Sequence, residues 1–527
     1  MDHAIKLFIF AVFIFVDHLI NTTYVQHEAS RVVNIKLASP YFKNQPKYGA
    51  RGMSPSLSPG HQAGDLDRAD KKISETVVSS KKRDDLETKI TLQFNDISPC
   101  LNADQARIEA ARCYFCYDAP CIQSCPTGID IPGFINGIAT GNLHGAGMKI
   151  FEANILGGSC ARVCPTEILC EGACVRTKQQ EKPVEISALQ RVATDALMAR
   201  VAEGAPYPFS RTAATNFHVA IVGAGPAGLA CAHALARRGH EVTLFEARQK
   251  PGGLNEYGIA AYKMTDHFAS REVDFVLGIG GINVKTGMAL GKDFSIEDLQ
   301  ADYDAVFLAI GQTRPLALGI PGEALHGVRD AIAFIEDLRQ APRLADLPVG
   351  REVVVIGGGN TAIDAATQAK RLGAEIVTIV YRRGRESMKA TNIEQDWALT
   401  NGVALREWAT PVAIEGKDHV NAIRFARTHM NNNRLVIEDE TFTLPADMVL
   451  KAIGQNVDLS NKTNLKRMPD GRIHIDSSSF STSLPGIFAG GDCVAGQDLT
   501  VQAVEDGKRA AAAIHHYLTS AKEIGHG

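Results

Sequence analysis

Apolar residues along the chain fall into three patterns, and each predicts a different kind of element. Short apolar runs such as HVAIV (218–222), AVFLAI (305–310), VVVI (353–356), IVTIV (376–380) and MVLKAI (448–453) read as strands. Apolar residues at helical spacing in ADQARIEAARC (103–113) and SALQRVATDALMARVAE (187–203) predict a helical region from about Ile97 to Glu203. Residues 21–90 carry Ser, Pro, Lys and Asp without periodicity, as in RGMSPSLSPG and KKRDD, and read as a disordered tail or linker. Ahead of them, Leu7 to Val16 is an apolar run of ten residues behind a lysine, too short to span a membrane. It resembles a signal-peptide core without a clear small-residue cleavage site, so the expectation is a dispensable extension.

The strands alternate with glycine turns and helices, and one such unit organises the chain. In FHVAIVGAGPAGLACAHALARRGHEVTLFE (217–246), the first strand stops at Gly223, and Gly223, Gly225 and Gly228 open a helix. Gly223 permits the tight turn, Gly225 removes a Cβ that would hold a diphosphate away, and Gly228 lets helix and strand approach. The helix N-terminus supplies positive potential for the phosphates. Glu246 closes the second strand, 23 residues after Gly223, where a carboxylate accepts both hydroxyls of an adenosine ribose. The loop that follows brings Gly253 and Leu254 toward the same ligand.

The plan repeats at REVVVI, where Gly357, Gly359, Asn360 and Thr361 open a second helix and the next strand ends in Arg382 and Arg383. A carboxylate repels a 2′-phosphate, whereas a guanidinium fork binds it, so the second site is expected to prefer NADPH over NADH. Arg385 and Lys389 extend the positive turn. Residues 484–518 return to strand, glycine turn and long helix, with Gly491 and Asp492 placed to reach a ribityl hydroxyl. The first site is therefore expected to hold FAD, with the NADPH unit inserted into its domain. The expected partition is 1–95 extension, 96–205 helical domain, 206–313 and 456–527 FAD domain, and 314–455 NADPH domain.

Composition changes this picture at one place. With 45% hydrophobic and 22% charged residues and a net charge of −4, nothing argues for a nucleic-acid surface or a membrane segment. Eleven cysteines would be unremarkable if scattered, but eight lie between Cys113 and Cys174. Spacings of Cys113-x2-Cys116-x4-Cys121-x3-Cys125-Pro and Cys160-x3-Cys164-Pro-x4-Cys170-x3-Cys174 suit thiolates folding round iron–sulfur cubanes. Two structural zinc sites are the rival, although zinc could not accept electrons from a flavin. The nucleotide folds favour the reducing cytoplasm and metal over disulfides. Cys100, Cys231 and Cys493 stand alone and read as packing residues.

GAGPAGL, GGGNTAID, YRRGRESM and AGGDC resemble the pyridine nucleotide-disulfide oxidoreductase-like chains, without a redox-active cysteine pair beside the flavin. With RCYFCYDAPCIQSCPTGIDIPGFI and CARVCPTEILCEGACVR in front, residues 100 to 520 resemble the glutamate synthase small subunit and the amino-terminal half of dihydropyrimidine dehydrogenase. SALQRV and PTGIDIPGFI look more like the pyrimidine enzymes. The resemblance implies an α/β fold behind an all-α iron–sulfur domain, with two 4Fe-4S clusters. One would be ligated by Cys113, Cys116, Cys121 and Cys174, the other by Cys125, Cys164, Cys170 and Gln190, leaving Cys160 spare. It places Val163 between cluster and flavin, and Lys263 stands where the family's GIPxxR loop has arginine. It implies an electron-input subunit feeding a separate FMN and iron–sulfur barrel that reduces uracil or thymine, in a hetero-oligomer. The alternatives are a glutamate synthase small subunit, another NADPH:acceptor oxidoreductase, or a non-catalytic scaffold with degenerate nucleotide folds.

Overall fold

The computed structural model describes residues 83–459 and 463–524, with side chains to Ser520. The apolar run Leu7–Val16 and the polar tract up to residue 82 lie outside the described residues. Among those described, no helix is long and apolar enough to cross a membrane.

Two five-stranded parallel sheets form the carboxy-terminal part. The first runs in the order Ile487–Ala489, Ala305–Leu308, His218–Val222, Glu241–Glu246, Ile282–Thr286. Ala305–Leu308 and residues 219–222 inside it, with Ile487–Ala489 at its edge, are buried throughout, which is why they appear in the sequence as unbroken apolar runs rather than alternations. The second sheet runs Val328–Asp330, Met448–Lys451, Glu352–Ile356, Ile376–Val380, Ala404–Arg406. All of its strands lie between Leu308 and Ile487 in the chain, so the second unit is an insertion in the first. The chain crosses out at Arg314–Pro315 and back at Gln455–Asn456, and these two pieces pair antiparallel.

A three-stranded antiparallel sheet, Ala409–Gly416, Val420–Asn431 and Arg434–Pro445, packs on the second unit through Ile414, Ile423 and Phe425. Sequence reading did not anticipate it. Its strands mix Arg, His, Asn and Glu with scattered apolar residues, so no clean alternation marks them.

The helical domain begins with Ala103–Ala110, whose cap Asn102 and Gln105 form a reciprocal capping box. Ile131–Ala139, Leu143–Ala153 and Ile186–Ala202 then pack Ile131, Phe134, Ile138, Ile150 and Leu189 into one core. One boundary differs from expectation. Residues 83–93 are helical, and Ile90 and Phe94 are buried in the core of the second unit. Glu87 accepts the backbone N–H groups of Leu344 and Ala345 there, at 3.1 and 2.7 Å. Leu86, Ile90, Leu92 and Phe94, of which only Ile90 and Phe94 are buried, were too little periodic signal in a charged stretch to separate this helix from the tail before it.

Candidate functional site

Three features converge at the carboxyl ends of the first sheet. Gly223 has φ +103°, and a Cβ there would lie 2.3 Å from the Ala309 carbonyl oxygen. Gly225 caps the helix Pro226–Arg237, and the only heavy atom a Cβ on it would meet is the Cα of Gly253, at 3.8 Å. These facing glycines leave a cleft between turn and loop free of side chains, the form a diphosphate requires above a helix N-terminus. Gly228 sits directly over Gly223, 1.9 Å from its oxygen were a Cβ added. Leu254 begins the short helix Leu254–Tyr257 behind Gly253 and is half-buried.

Glu246 is buried, and its two oxygens accept the N–H groups of Ala224 and Arg248, each at 2.9 Å. A carboxylate has about four acceptor positions, so two are left for ribose hydroxyls. Gly491, at φ +76°, donates its N–H to Asp506 at 3.0 Å, and this turn presents Asp492. Burial pushes the Asp492 carboxyl up to about 6, with Asp498 and Asp506 adding to the effect and Arg472 opposing it. A half-buried acid of this kind gains from a hydroxyl donor. The residues present therefore fit a flavin dinucleotide.

At the second unit, Gly357 has φ +146°, and a Cβ would meet the Ala452 oxygen at 2.2 Å. Gly359 caps the helix that starts with Asn360 and Thr361, and the space over its α-carbon is open for 4 Å. Arg383 is half-buried with an Nε that has no hydrogen-bond partner, and Arg382 and Lys389 beside it are exposed and stand available to an anion. Arg385 does not. Its Nε donates to Gln395 at 2.8 Å and its guanidinium pairs with Asp396. Lys263 is also occupied, since its ammonium is buried 2.8 Å from Asp364 and 2.7 Å from Glu394 of the second unit. The loop departing from GIPxxR thus bridges the two units, with Tyr262 donating to Asp364 at 3.2 Å and the Ala261 N–H to Gln368 at 3.0 Å. Asp364 lay inside the quoted motif GGGNTAID, whereas nothing near Glu394 marked it out in the sequence.

The cysteines form two groups. Cys113, Cys116, Cys121 and Cys174 line one cavity, walled by Ile131, Ile135 and Ile186 with Arg176 beside them. Burial, then the neighbouring Cys113 and Cys174, push the Cys121 thiol up to about 11. Around Cys164, the contact with Cys160 comes first, then burial, then the charges of Cys160, Cys170 and Cys125, and together they hold its thiol well above the ordinary value. Among the described residues no three His, Cys, Asp or Glu converge closely enough for one metal ion, so the thiols border a space rather than a point. Crowded thiols this reluctant to ionise alone are released as thiolates by a metal centre, and the apolar walls fit such a centre.

Gln190 is buried on Ile186–Ala202, and its amide nitrogen donates to the Gly157 carbonyl at 2.7 Å, leaving the oxygen as its other end. Cys160 is buried and takes a hydrogen bond from the Asn154 amide at 3.2 Å. Both therefore stand at the short helix Gly157–Val163 that leads to Cys164. Val163 packs against a core shared by the helical domain, through Phe151, Ile155 and Leu156, and the first nucleotide unit. Beside it Glu272, which the sequence reading did not single out, accepts both the N–H and the hydroxyl of Ser159 from the opposite side of this contact. Burial pushes its carboxyl up to about 7, against those hydrogen bonds and the charge of Arg162.

Two nucleotide turns, one nested in the other, and two groups of cysteines, the first lining a cavity, define a flavin-type oxidoreductase with an iron–sulfur domain in front. The chain belongs to the pyridine nucleotide-disulphide oxidoreductase family, whose model matches residues 217–507, and the model of dihydropyrimidine dehydrogenase domain II, 4Fe-4S cluster, matches residues 90–202. It is 36% identical over 428 residues to the NAD-dependent dihydropyrimidine dehydrogenase subunit PreT homolog of Salmonella typhi, covering 81% of this chain and 98% of that one. It is 33% identical over 450 residues to the NADPH glutamate synthase small chain of Escherichia coli K12, covering 81% and 94%. Among solved structures, FprA of Mycobacterium tuberculosis superposes with a TM-score of 0.52 at 20% identity, over 59% of this chain and 86% of that one, a likeness of fold.

Proposed function

We infer that the protein is the electron-input subunit of a dihydropyrimidine dehydrogenase. In this reading the second unit would bind NADPH, the first FAD and the cysteine groups two 4Fe-4S clusters, which together would supply an electron path to a partner subunit that reduces uracil or thymine. The observation that carries this reading is the contact of the helix Gly157–Val163 with the flavin-type core through Val163 and Glu272, because it joins the cysteines to the nucleotide turns in one buried junction.

The flavin would supply the conversion of a hydride into single electrons. The chain's own residues bind and orient. Gly225 and Gly253 give the diphosphate access to the helix N-terminus, Glu246 receives the ribose, and Asp492 receives a ribityl hydroxyl. On the other side Gly357, Gly359, Asn360 and Thr361 receive the second diphosphate, and Arg382, Arg383 and Lys389 the 2′-phosphate. Cys113, Cys116, Cys121 and Cys174 would hold one cluster, and Cys125, Cys164, Cys170 and Gln190 the other. The relatives named PreT are called NAD-dependent, and the free arginines are what favour NADPH for this chain. The likeness to a glutamate synthase small chain keeps one alternative partner in view. A cytoplasmic location follows from the same chemistry, since thiolate-bound clusters need a reducing compartment.

The test is to assay the purified chain with each coenzyme and an artificial acceptor, then with uracil, with and without the barrel subunit. Expected are NADPH oxidation with the artificial acceptor, no dihydrouracil from the chain alone, and dihydrouracil once the barrel is added. Replacing Arg382 and Arg383 together by Ala should weaken NADPH binding about tenfold or more and spare NADH, since a charge-assisted contact contributes about 1.5–3 kcal/mol. Uracil reduction by the chain alone, or equal loss of both coenzymes, would overturn the corresponding half of the reading.

A further inference from the structure

Three successive residues of the long helix Thr500–Ile524 each touch a different part of the proposed electron path. Asp506 accepts the Gly491 N–H beside Asp492. Gly507 lies so close to the diphosphate helix that a Cβ on it would stand 2.1 Å from the Ala227 oxygen. Lys508 reaches out of the nucleotide unit altogether. Its ammonium donates to the carbonyl of Thr127 at 3.2 Å and to that of Ala153 at 3.0 Å.

Those two carbonyls belong to the two segments that carry the second group of cysteines. Thr127 follows Cys125 by two residues, and its hydroxyl lies 3.3 Å from the Cys125 sulfur. Ala153 precedes Asn154, whose amide donates to Cys160 and whose oxygen caps the start of the turn into Gly157–Val163 and so to Cys164. One side chain therefore ties both segments to the helix that shapes the flavin turn. Glu505, one turn back, lies 2.6 Å from the same ammonium. The pair is thus a dipole whose positive end touches the cysteine segments.

We propose that Lys508 is a positioning residue for electron transfer between the flavin and the cluster on Cys125, Cys164 and Cys170, holding their spacing and raising the cluster's reduction potential. The inference rests on the functional reading above. With flavin and cluster bound, each transfer would take one electron from the reduced flavin and add one to the cluster, with the flavin's protons released to solvent. The cluster gains a negative charge on reduction, so a nearby cation favours the reduced form. Loss of the cation disfavours it, and leaves Glu505 unbalanced, which acts in the same direction. Removing Glu505 instead should do the opposite.

The experiment uses the full chain with flavin and iron, in wild-type, Lys508→Met, Lys508→Arg and Glu505→Gln forms. It measures flavin reduction by NADPH and cluster reduction in stopped flow, and the cluster potential by electron paramagnetic resonance in a redox titration. Expected for Lys508→Met are unchanged flavin reduction, cluster reduction slower by about ten- to a hundredfold as for other outer-shell partners, and a lower potential. Lys508→Arg keeps charge and donors and should stay near wild type, while Glu505→Gln should raise the potential. Should Lys508→Met fail to assemble, the potential of Glu505→Gln decides alone. Potentials that do not move, or that move in the same direction in Lys508→Met and Glu505→Gln, overturn the proposal while leaving the functional reading intact. A wild-type chain purified without flavin or iron removes both.

Discussion

At the scale of single residues, the sequence showed chemistry well where one residue type at one spacing has one use. Gly223, Gly225, Gly228 and Glu246 carry their meaning in the strand-turn-helix context alone, and the structure brings them together around one cleft. Cations were less legible, because a positive side chain can serve a ligand or a neighbouring acid. Arg385 and Lys263 turn out to be held by Asp396 and by Asp364 with Glu394, partners 11, 101 and 131 residues away. The sharpest residue-scale question is the fourth ligand of the second cysteine group. Counting cysteines favours Cys160, whereas the family resemblance favours Gln190. Geometry keeps both near Gly157–Val163, but Cys160 already accepts an amide hydrogen while the Gln190 oxygen is the unengaged end of its amide. A neutral oxygen ligand in place of a thiolate makes a cluster one charge less negative. Iron content and the reduced electron paramagnetic resonance spectrum of Cys160→Ala and Gln190→Ala separate the two. About eight irons, two cubanes of four, should remain in Cys160→Ala, and a cluster should be lost or altered in Gln190→Ala. The reverse pattern returns the ligand to Cys160.

At the scale of elements, long apolar runs and helical periodicities were easy to place, and contacts between elements were not. Gly228 is recognisable because its partner, Gly223, lies five residues away. Gly507 performs the same close approach against Ala227, 280 residues earlier, and no local pattern records it. The helix 83–93 was missed for a related reason, since Ile90 and Phe94 find their core on the second unit and not within their own neighbourhood. Gly507→Ala tests the importance of the helix crossing. Overpacking a tight contact costs about 1–3 kcal/mol, and here the displaced helix is the one under the flavin diphosphate. The variant should melt lower and release flavin more readily. A Gly507→Ala chain that melts with the wild type and keeps its flavin would show that the two helices part without cost.

At the scale of the whole molecule, the two cysteine groups are not equivalent, because among the described residues the hydrogen bonds at the Gly157–Val163 junction with the first nucleotide unit fall on the segments of the second group. The group of Cys125, Cys164 and Cys170 is joined to that unit through Val163 against the core the two share, Ser159 on Glu272, Arg162 over the Phe268 ring, and Lys508 on Thr127 and Ala153. A Cβ at Gly158 would stand 2.5 Å from the Phe268 ring, so this junction is closely packed. The cavity of Cys113, Cys116, Cys121 and Cys174 is lined only by residues 113–186 of the helical domain. On the proposed function, electrons should therefore reach the first group only through the second. Cys170→Ala should disable the nearer cluster and stop NADPH from reducing the farther one, although dithionite, a small reductant that needs no relay, still reduces it. Cys116→Ala should leave the nearer cluster reducible by NADPH at the wild-type rate. Rapid freeze-quench electron paramagnetic resonance with each reductant reads both results. Reduction of the farther cluster by NADPH at full rate in a Cys170→Ala chain lacking the nearer one would mean that the two groups receive electrons in parallel, and that the packed junction is a structural contact and not the path.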